Sequence, residues 1–262
     1  MTIRWSAEAI WEAVAPLLPG FTVEILPEID STNSELMRRA RAGQIEPILL
    51  GAERQTAGRG RLGRDWQSDT DAGLATLTFS LGLPLRPADW SGLSLAVGLA
   101  VVQSLHPALR LKWPNDVWLE ERKLAGILIE TTSVGELRYA VIGIGINLLP
   151  RAADGLRTPP AALAEVLSGA DAPSTLEAIV LPLVRAVLDF ELSGFGDLRA
   201  AFHARDLLYG REVVCTDGTT GMARGVDASG ALLLHTASGL QKISSAEVSV
   251  RPAPPAASPT HA

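Results

Sequence analysis

Residues Ala57-Gly-Arg-Gly-Arg-Leu-Gly-Arg-Asp-Trp66 set Arg59, Arg61 and Arg64 among Gly58, Gly60 and Gly63, in a stretch without hydrophobic periodicity. Glycine lets the backbone adopt positive φ and approach a ligand closely, and each arginine offers a planar fork of donors suited to phosphate or carboxylate oxygens. Three such side chains on one pliable loop predict an anionic ligand. Alone, the stretch has commoner readings, a solvated surface loop or a nucleic-acid tether, so its meaning depends on the rest of the chain.

That rest argues against nucleic acid. The 262 residues carry 23 Lys and Arg against 29 Asp and Glu, a net charge of -6, whereas phosphate-driven affinity needs clustered positive charge. With 47% hydrophobic residues the chain is long enough for one large core, or one large and one small. The single cysteine, Cys215, makes no internal disulfide, and no Cys/His cluster has metal-ligand spacing. Both suit a reducing compartment, with the cytoplasm expected. Glu8 and Glu12 interrupt the N-terminal apolar pattern, which lacks the core of a signal peptide. The longest apolar run, 95–102, falls well short of the roughly 20 residues of a membrane helix.

Hydrophobic spacing predicts helices over 6–18, from 33 to a stop at Gly43, and over 90–105, 158–167 and 176–192. A capping box, Thr32-Asn-Ser-Glu35, announces the second. Strands are predicted over 22–26, 48–52, 74–83, 110–113, 117–119, 123–130 and 137–146, with Leu77, Phe79 and Leu81 alternating against Thr76, Thr78 and Ser80. Short strand-like pieces broken by Asp217-Gly218, Ser229-Gly230 and Ser238-Gly239 predict a small β-barrel over 206–251, and the Pro- and Ala-rich end a disordered tail over 252–262. Strands and helices alternate irregularly, so the expected class is α+β, with a large domain over 1–205. The chain ahead of the first strand is too short for a helix-turn-helix module.

Four segments stand out: Ser31-Thr-Asn33, the Gly/Arg loop, Lys112-Trp-Pro-Asn-Asp116 with Lys123-Leu-Ala-Gly126, and Gly143-Ile-Gly-Ile-Asn147. Each has an ordinary reading. The first is a helix cap, the lysines are surface residues, and Asn115-Asp116 is a turn. The last lacks the third glycine and the helix of a dinucleotide fingerprint, and reads as a strand closely approached by its surroundings. His106, His203 and His235 are scattered singly, and Glu120-Glu121 reads as a solvated turn.

Together, in this order and at these separations, the four segments resemble the catalytic domain of biotin protein ligases, from about residue 27 to 147. The C-terminal strands look like the SH3-like domain that follows in that family. The pairing of Gly-Arg-Gly-Arg-Leu-Gly-Arg with Lys-Trp-Pro-Asn-Asp is shared by few other families. The resemblance implies a mixed sheet with flanking helices of the class II aminoacyl-tRNA synthetase and biotin ligase type, in the monofunctional class without a DNA-binding module. It also implies activation of biotin with ATP and Mg²⁺ as biotinyl-5′-AMP, then transfer to a lysine of a biotin carboxyl carrier protein or domain. Members of the family often form homodimers through the catalytic sheet.

The chemistry gives these residues their reasons. A carboxylate is a poor acyl donor until its oxygen is joined to AMP, and bringing it to a triphosphate sets two anions together, so fixed cations are expected. By the resemblance, Lys123 bridges carboxylate and α-phosphate, with Arg61 and Lys112 as further cations and Asp116 as a Mg²⁺ or loop-orienting group. Arg59, Gly60, Arg61 and Arg64 belong to the biotin and phosphate region. Ser31, Thr32, Asn33 and Gln55 face the ureido ring. Gly126 and the strand ending at Asn147 form the pocket floor, where bulk would collide with the ligand. No set of metal ligands is defined. Trp66 reads as adenine-side packing or core, and Trp113 as core. Rival readings are a lipoate ligase, a cysteine-type octanoyltransferase, a nucleic-acid-binding regulator and a non-catalytic biotin binder. Cys215 in the small barrel opposes the second, net charge the third, and the joint presence of Lys112, Arg61 and Lys123 the fourth.

Overall fold

A computed structural model describes residues 3–67, 74–151, 160–244 and 250–252. The first part of the chain runs through α1 (Ala7–Val14), β1 (Thr22–Ile29), α2 (Thr32–Arg41), β2 (Ile48–Gln55), β3 (Thr76–Pro84) and α3 (Leu93–Leu105). Then follow β4 (Arg110–Lys112), β5 (Asp116–Leu119), β6 (Arg122–Val134), β7 (Leu137–Asn147), α4 (Ala172–Ser193) and α5 (Arg199–His203). Strands β1 to β7 form one sheet in the order β1-β2-β3-β7-β6-β5-β4. Only β1 and β2 are parallel; the other neighbours are antiparallel. The class is α+β, as expected from the irregular alternation of elements.

The register of the central strands decides what faces what. Thr78, Gly145 and Gly126 are cross-strand partners, and so are Ser80, Gly143 and Leu128. Side chains alternate along a strand, so Leu77, Phe79 and Leu81 point the other way with Ile142, Ile144 and Ile146. They join α3 and α4 in the main core, where each fully buried Leu, Ile or Phe contributes about 1.5–3 kcal/mol. On the opposite face α2 packs Leu36, Met37 and Ala40 against Leu50, Tyr139 and Val141. Both faces of β3 are therefore covered, and Thr76, Thr78 and Ser80 are buried at 3%, 2% and 0% exposure. These buried hydroxyls, beside a floor of glycines, place a polar cavity next to the N-terminus of α2.

Several boundaries differ from the sequence expectation for local reasons. Helix α1 stops at Val14 because Pro16 has no N–H to continue the ladder. The cap of α2 is Ser31, whose Oγ accepts from the Ser34 N–H at 3.4 Å. The capping box from Thr32 does not form: Thr32 is already helical, and Glu35 pairs with Arg38 and Arg39. Gly43, at φ 89°, ends this helix region as predicted. Helix α3 begins only at Leu93, after Gly92 at φ 84°. Helix α4 begins at Ala172, capped by Asp171, whose Oδ1 accepts from the Ser174 N–H at 2.8 Å. Of the helix predicted over 158–167, residues 158–159 lie outside the described residues and the remainder holds only a 3-10 turn at Leu163–Glu165.

The C-terminal strands β8 (Glu212–Cys215), β9 (Thr220–Val226), β10 (Leu232–Thr236), β11 (Gly239–Ile243) and β12 (Val250–Pro252) form a small antiparallel sheet in the order β11-β10-β9-β8-β12. Arg251, the last residue of the predicted barrel, pairs with Val214, and Pro252, read as the start of the tail, pairs with Val213; the rest of the predicted tail lies outside the described residues. Trp113, 1% exposed, is core as read, and its indole N–H donates to the Gly230 carbonyl at 3.0 Å, tying the two sheets together. Glu121 lies in an exposed turn, as expected, and there forms a surface ion pair with Arg211 at 2.7 Å. The Arg211 guanidinium also holds the Glu121 carboxyl below its ordinary range. Cys215 is buried, and burial pushes its thiol up. Among the described residues no helix is long and apolar enough to cross a membrane.

Candidate active site

The Gly/Arg segment is a folded hairpin rather than an open loop. The Trp66 N–H donates to the Gly58 carbonyl at 2.9 Å and the Gly60 N–H to the Arg64 carbonyl at 2.7 Å, around a 3-10 turn at Arg61–Gly63. Leu62, at φ 57°, takes the left-handed conformation that glycine usually supplies. A side chain at Gly58 would meet the Trp66 carbonyl oxygen at 2.3 Å, so glycine there lets the two ends of the hairpin close.

This hairpin stands over two adjoining cavities. The inner one, about 60 Å³, is lined by Ser31, Thr32, Asn33 and Gln55 and by Arg59, Gly60, Arg61 and Lys123, with Gly126 among its lining glycines. The outer one, about 410 Å³, contains Gly60, Arg61 and Lys123 again, together with Arg64, Lys112, Asp116 and Asn147. The structure thus brings every residue assigned to the site by the resemblance to one or both cavities, while Trp113, read as core, borders neither.

At the inner end the polar groups bind one another. The Asn33 amide nitrogen donates to the Leu128 carbonyl at 3.2 Å and to Glu130 Oε2 at 3.0 Å. Gln55 Oε1 accepts from the Thr32 N–H at 2.8 Å. Arg59 is ion-paired to Glu130 and also donates to Ser34 Oγ at 3.2 Å. At the junction of the cavities Lys123 Nζ lies 2.7 Å from Asp116 Oδ1. Arg61 donates to Asn115 Oδ1 at 3.3 Å, and the Asn115 amide donates to the Ile127 carbonyl at 2.7 Å. Burial lowers the Arg61 pKa from its ordinary value; Asp116 opposes the shift and Arg64 adds to it. In the outer cavity Lys112 Nζ sits 5.0 Å from the Trp118 ring centroid, a cation–π distance.

The glycines correct one expectation. Bulk on the floor would strike protein side chains first. A Cβ at Gly143 would lie 2.1 Å from Asn33 Oδ1, one at Gly145 2.4 Å from the Trp66 ring, and one at Gly126 3.0 Å from Lys123 Nζ. Each missing Cβ seats one side chain that lines the site. Trp66 is therefore part of the cavity wall, and it borders both cavities. Its indole nitrogen and Asn147 Oδ1 are buried without a hydrogen-bond partner among the described residues, as expected of groups that meet a ligand.

Sequence reasoning did not single out Ser80, Thr78, Asn115, Glu130 or Arg151. Asn115 lay inside a quoted motif and was read as a turn. Ser80, Thr78 and Glu130 are polar positions of alternating strands, a pattern that reports two unlike faces but not what covers them. Arg151 lies 5.9 Å from the Trp66 ring centroid, and nothing near it in sequence marks it.

An inner polar pocket, an outer cleft with further basic side chains, and Arg61 and Lys123 bordering both suit a domain that joins an organic acid to a phosphate-bearing partner. The family model described as the biotin/lipoate A/B protein ligase family matches residues 26–147, and that of the biotin protein ligase C terminal domain matches 209–251. The bifunctional ligase/repressor BirA of Escherichia coli is 35% identical over 246 residues, 90% of this chain and 76% of that protein. A biotin–acetyl-CoA-carboxylase ligase of Paracoccus denitrificans is 35% identical over 243 residues, 86% of this chain and 98% of that protein. The solved biotin protein ligase of Aquifex aeolicus in complex with biotin and ATP superposes with a TM-score of 0.75 at 28% identity, covering 88% of this chain and 99% of that one. The chain belongs to the biotin protein ligase family.

Proposed function

We propose that this protein activates biotin with ATP as biotinyl-5′-AMP and transfers the biotinyl group to a lysine of a biotin carboxyl carrier domain. The observation that carries the reading is that Arg61 and Lys123 border both cavities. A neutral ring with an N–H and a carbonyl suits the Thr32, Asn33 and Gln55 end. Its carboxylate then reaches the two cations, and the triphosphate lies in the outer cleft with Arg64 and Lys112. Relatives named for biotin ligation, and the Aquifex protein solved with biotin and ATP, support it.

In the first step a carboxylate oxygen attacks the α-phosphorus. A new P–O bond forms, the bond to the bridging oxygen breaks, and pyrophosphate leaves with the electron pair. Lys123 and Arg61 offset the charge gathered at this junction, where a preorganised cation acts without solvent reorganisation. Asp116 orients Lys123, and Asn115 orients Arg61. In the second step the acceptor amine attacks the carbonyl carbon, AMP leaves with the C–O bonding pair, and the amine gives up a proton. Trp66 and Asn147 offer a ring face and a buried acceptor to the nucleotide.

Mg²⁺ fits as an ion carried mainly by the triphosphate, because such ions need only one or two protein carboxylates. Among the described residues no cluster of three or more His, Cys, Asp or Glu side chains is suited to a metal. Asp116 is the carboxylate that would hold it, and the ion would screen phosphoryl charge. We assign residues 1–205 to catalysis and 206–251 to the small SH3-like domain, whose Val250 borders the outer cleft.

Lipoate, with an apolar dithiolane ring, has neither an N–H nor a carbonyl to offer the polar inner end, so biotin is favoured over the lipoate ligase reading. The test is ATP–pyrophosphate exchange driven by biotin, run beside lipoate and octanoate. Exchange with biotin alone is expected; exchange with lipoate and none with biotin overturns the proposal.

A further inference from the structure

Ser80 lies on β3 behind the inner cavity, fully buried, and borders neither cavity. Its hydroxyl oxygen is 2.7 Å from Asn33 Oδ1 and 2.7 Å from Thr32 Oγ1. A hydroxyl has a single proton to give, so the direction of each contact follows from its neighbours.

The chain of argument starts at β6. The Leu128 carbonyl and the Glu130 carboxylate only accept, so the nitrogen of the Asn33 amide faces them and its oxygen faces Ser80. That oxygen also only accepts, which engages the Ser80 proton. Two hydroxyl oxygens 2.7 Å apart need a proton between them, and here it is the Thr32 proton. Gln55 Oε1, which also accepts from the Thr32 N–H at 2.8 Å, is the second acceptor for that proton, but at 3.1 Å it is the more distant one, against 2.7 Å for Ser80. With its proton turned back toward Ser80, the Thr32 hydroxyl offers the cavity lone pairs and no donor.

We propose that Ser80 is a positioning residue that fixes Thr32 as an acceptor, so that the inner cavity selects a ring carrying an N–H at that point. The inference rests on the biotin reading and gives the ureido N–H its partner. It also defines what is refused: a ring of the same shape with an acceptor at that position meets lone pairs with lone pairs.

The probes are biotin and its two isosteric cyclic-carbamate analogues, in each of which one ureido N–H is replaced by a ring oxygen. Sites built around one hydrogen bond reject analogues lacking it by up to about 10⁴–10⁵. In ATP–pyrophosphate exchange the wild type is expected to prefer biotin over one of the analogues by at least about 100-fold in kcat/KM. Ser80→Ala removes the nearer of the two acceptors of the Thr32 proton and leaves only Gln55 Oε1 at 3.1 Å to hold it, so a ring oxygen can compete for that proton and this ratio should narrow at least about tenfold, carried by KM. Ser80→Thr, which keeps the hydroxyl, should restore it. Should Ser80→Ala fail to fold, Ser80→Cys fills the same space with a poor acceptor and is expected to narrow the ratio too. A ratio unchanged in a folded, active Ser80→Ala or Ser80→Cys enzyme overturns the inference, as does a wild type that accepts both carbamates as readily as biotin. Absence of exchange with biotin itself would instead overturn the functional reading, so the two failures are distinguishable.

Discussion

Substituting alanine at Gly143 tests how the floor builds the pocket. The added Cβ would stand 2.1 Å from Asn33 Oδ1 and 2.8 Å from its Cγ, where ordinary contact is 3.4–4 Å. Asn33, 4% exposed, can yield only toward the inner cavity it lines, and moving it strains its hydrogen bonds to Glu130, Leu128 and Ser80. Hydrogen bonds to charged groups contribute about 1.5–3 kcal/mol and neutral ones about 1, so losing part of this set should cost binding about 1.4–2.8 kcal/mol. That is a tenfold to hundredfold rise in KM for biotin. Asn33 does not border the outer cleft, so the KM for ATP should change little. Overpacking should lower stability by about 1–3 kcal/mol, which a thermal melt would register as a shifted but still cooperative transition. The decisive comparison is Gly143→Ala on an Asn33→Ala background, where the clash is gone and the added cost should fall close to zero. An equal cost in both backgrounds, or an unchanged KM in the single variant, would refute the reasoning.

Three further outcomes are expected. Lys123→Ala should reduce biotin-dependent pyrophosphate exchange by about 10²–10³, the scale of losing one preorganised charge-stabilising group, with the circular dichroism spectrum retained; exchange at the wild-type rate would remove Lys123 from its assigned role. Arg61→Gly should fold but release biotinyl-AMP early, measured as adenylate retained after rapid desalting, and equal retention in both proteins would defeat it. Burial holds the Asp206 carboxyl at about 6 against an ordinary 3.8. Its contribution to stability is therefore complete below about pH 4 and is lost as pH rises through about 6. Asp206→Asn keeps an oxygen to accept from the Leu208 N–H, so it should raise the melting temperature near pH 7.5 and change it little near pH 4; the same shift at both values would contradict this.

Elements with a strong period were legible in the chain: α4, the run of strands from Arg110 to Asn147, and the short strands after residue 206 all lie close to where spacing and turns put them. Two of the boundaries that moved did so through single residues: Pro16, which has no N–H to continue α1, and Gly92, whose positive φ sets the start of α3. The candidate site was legible as a set of residues because the motifs are compact. Its internal wiring was not. Asn33, Ser80 and Glu130 meet from three elements, up to 97 positions apart in sequence, and only the β3–β7–β6 register sets them side by side. Trp66 was ambiguous for the same reason: its seat is Gly145, on a distant strand.

The row formed by Gly126, Gly145 and Gly143 also bears on how this protein can change. Functional side chains elsewhere can be exchanged by degrees, since a longer or shorter group still leaves something in place. At these three positions the smallest available step is a whole methyl group, and each step lands on a different working residue. Altered ligand preference, whether reached by drift or by design, is therefore expected to enter through the walls at Thr32, Gln55 or Leu128. The floor should be among the last parts of the molecule to vary, and a library that randomises it should return mostly inactive proteins that still fold.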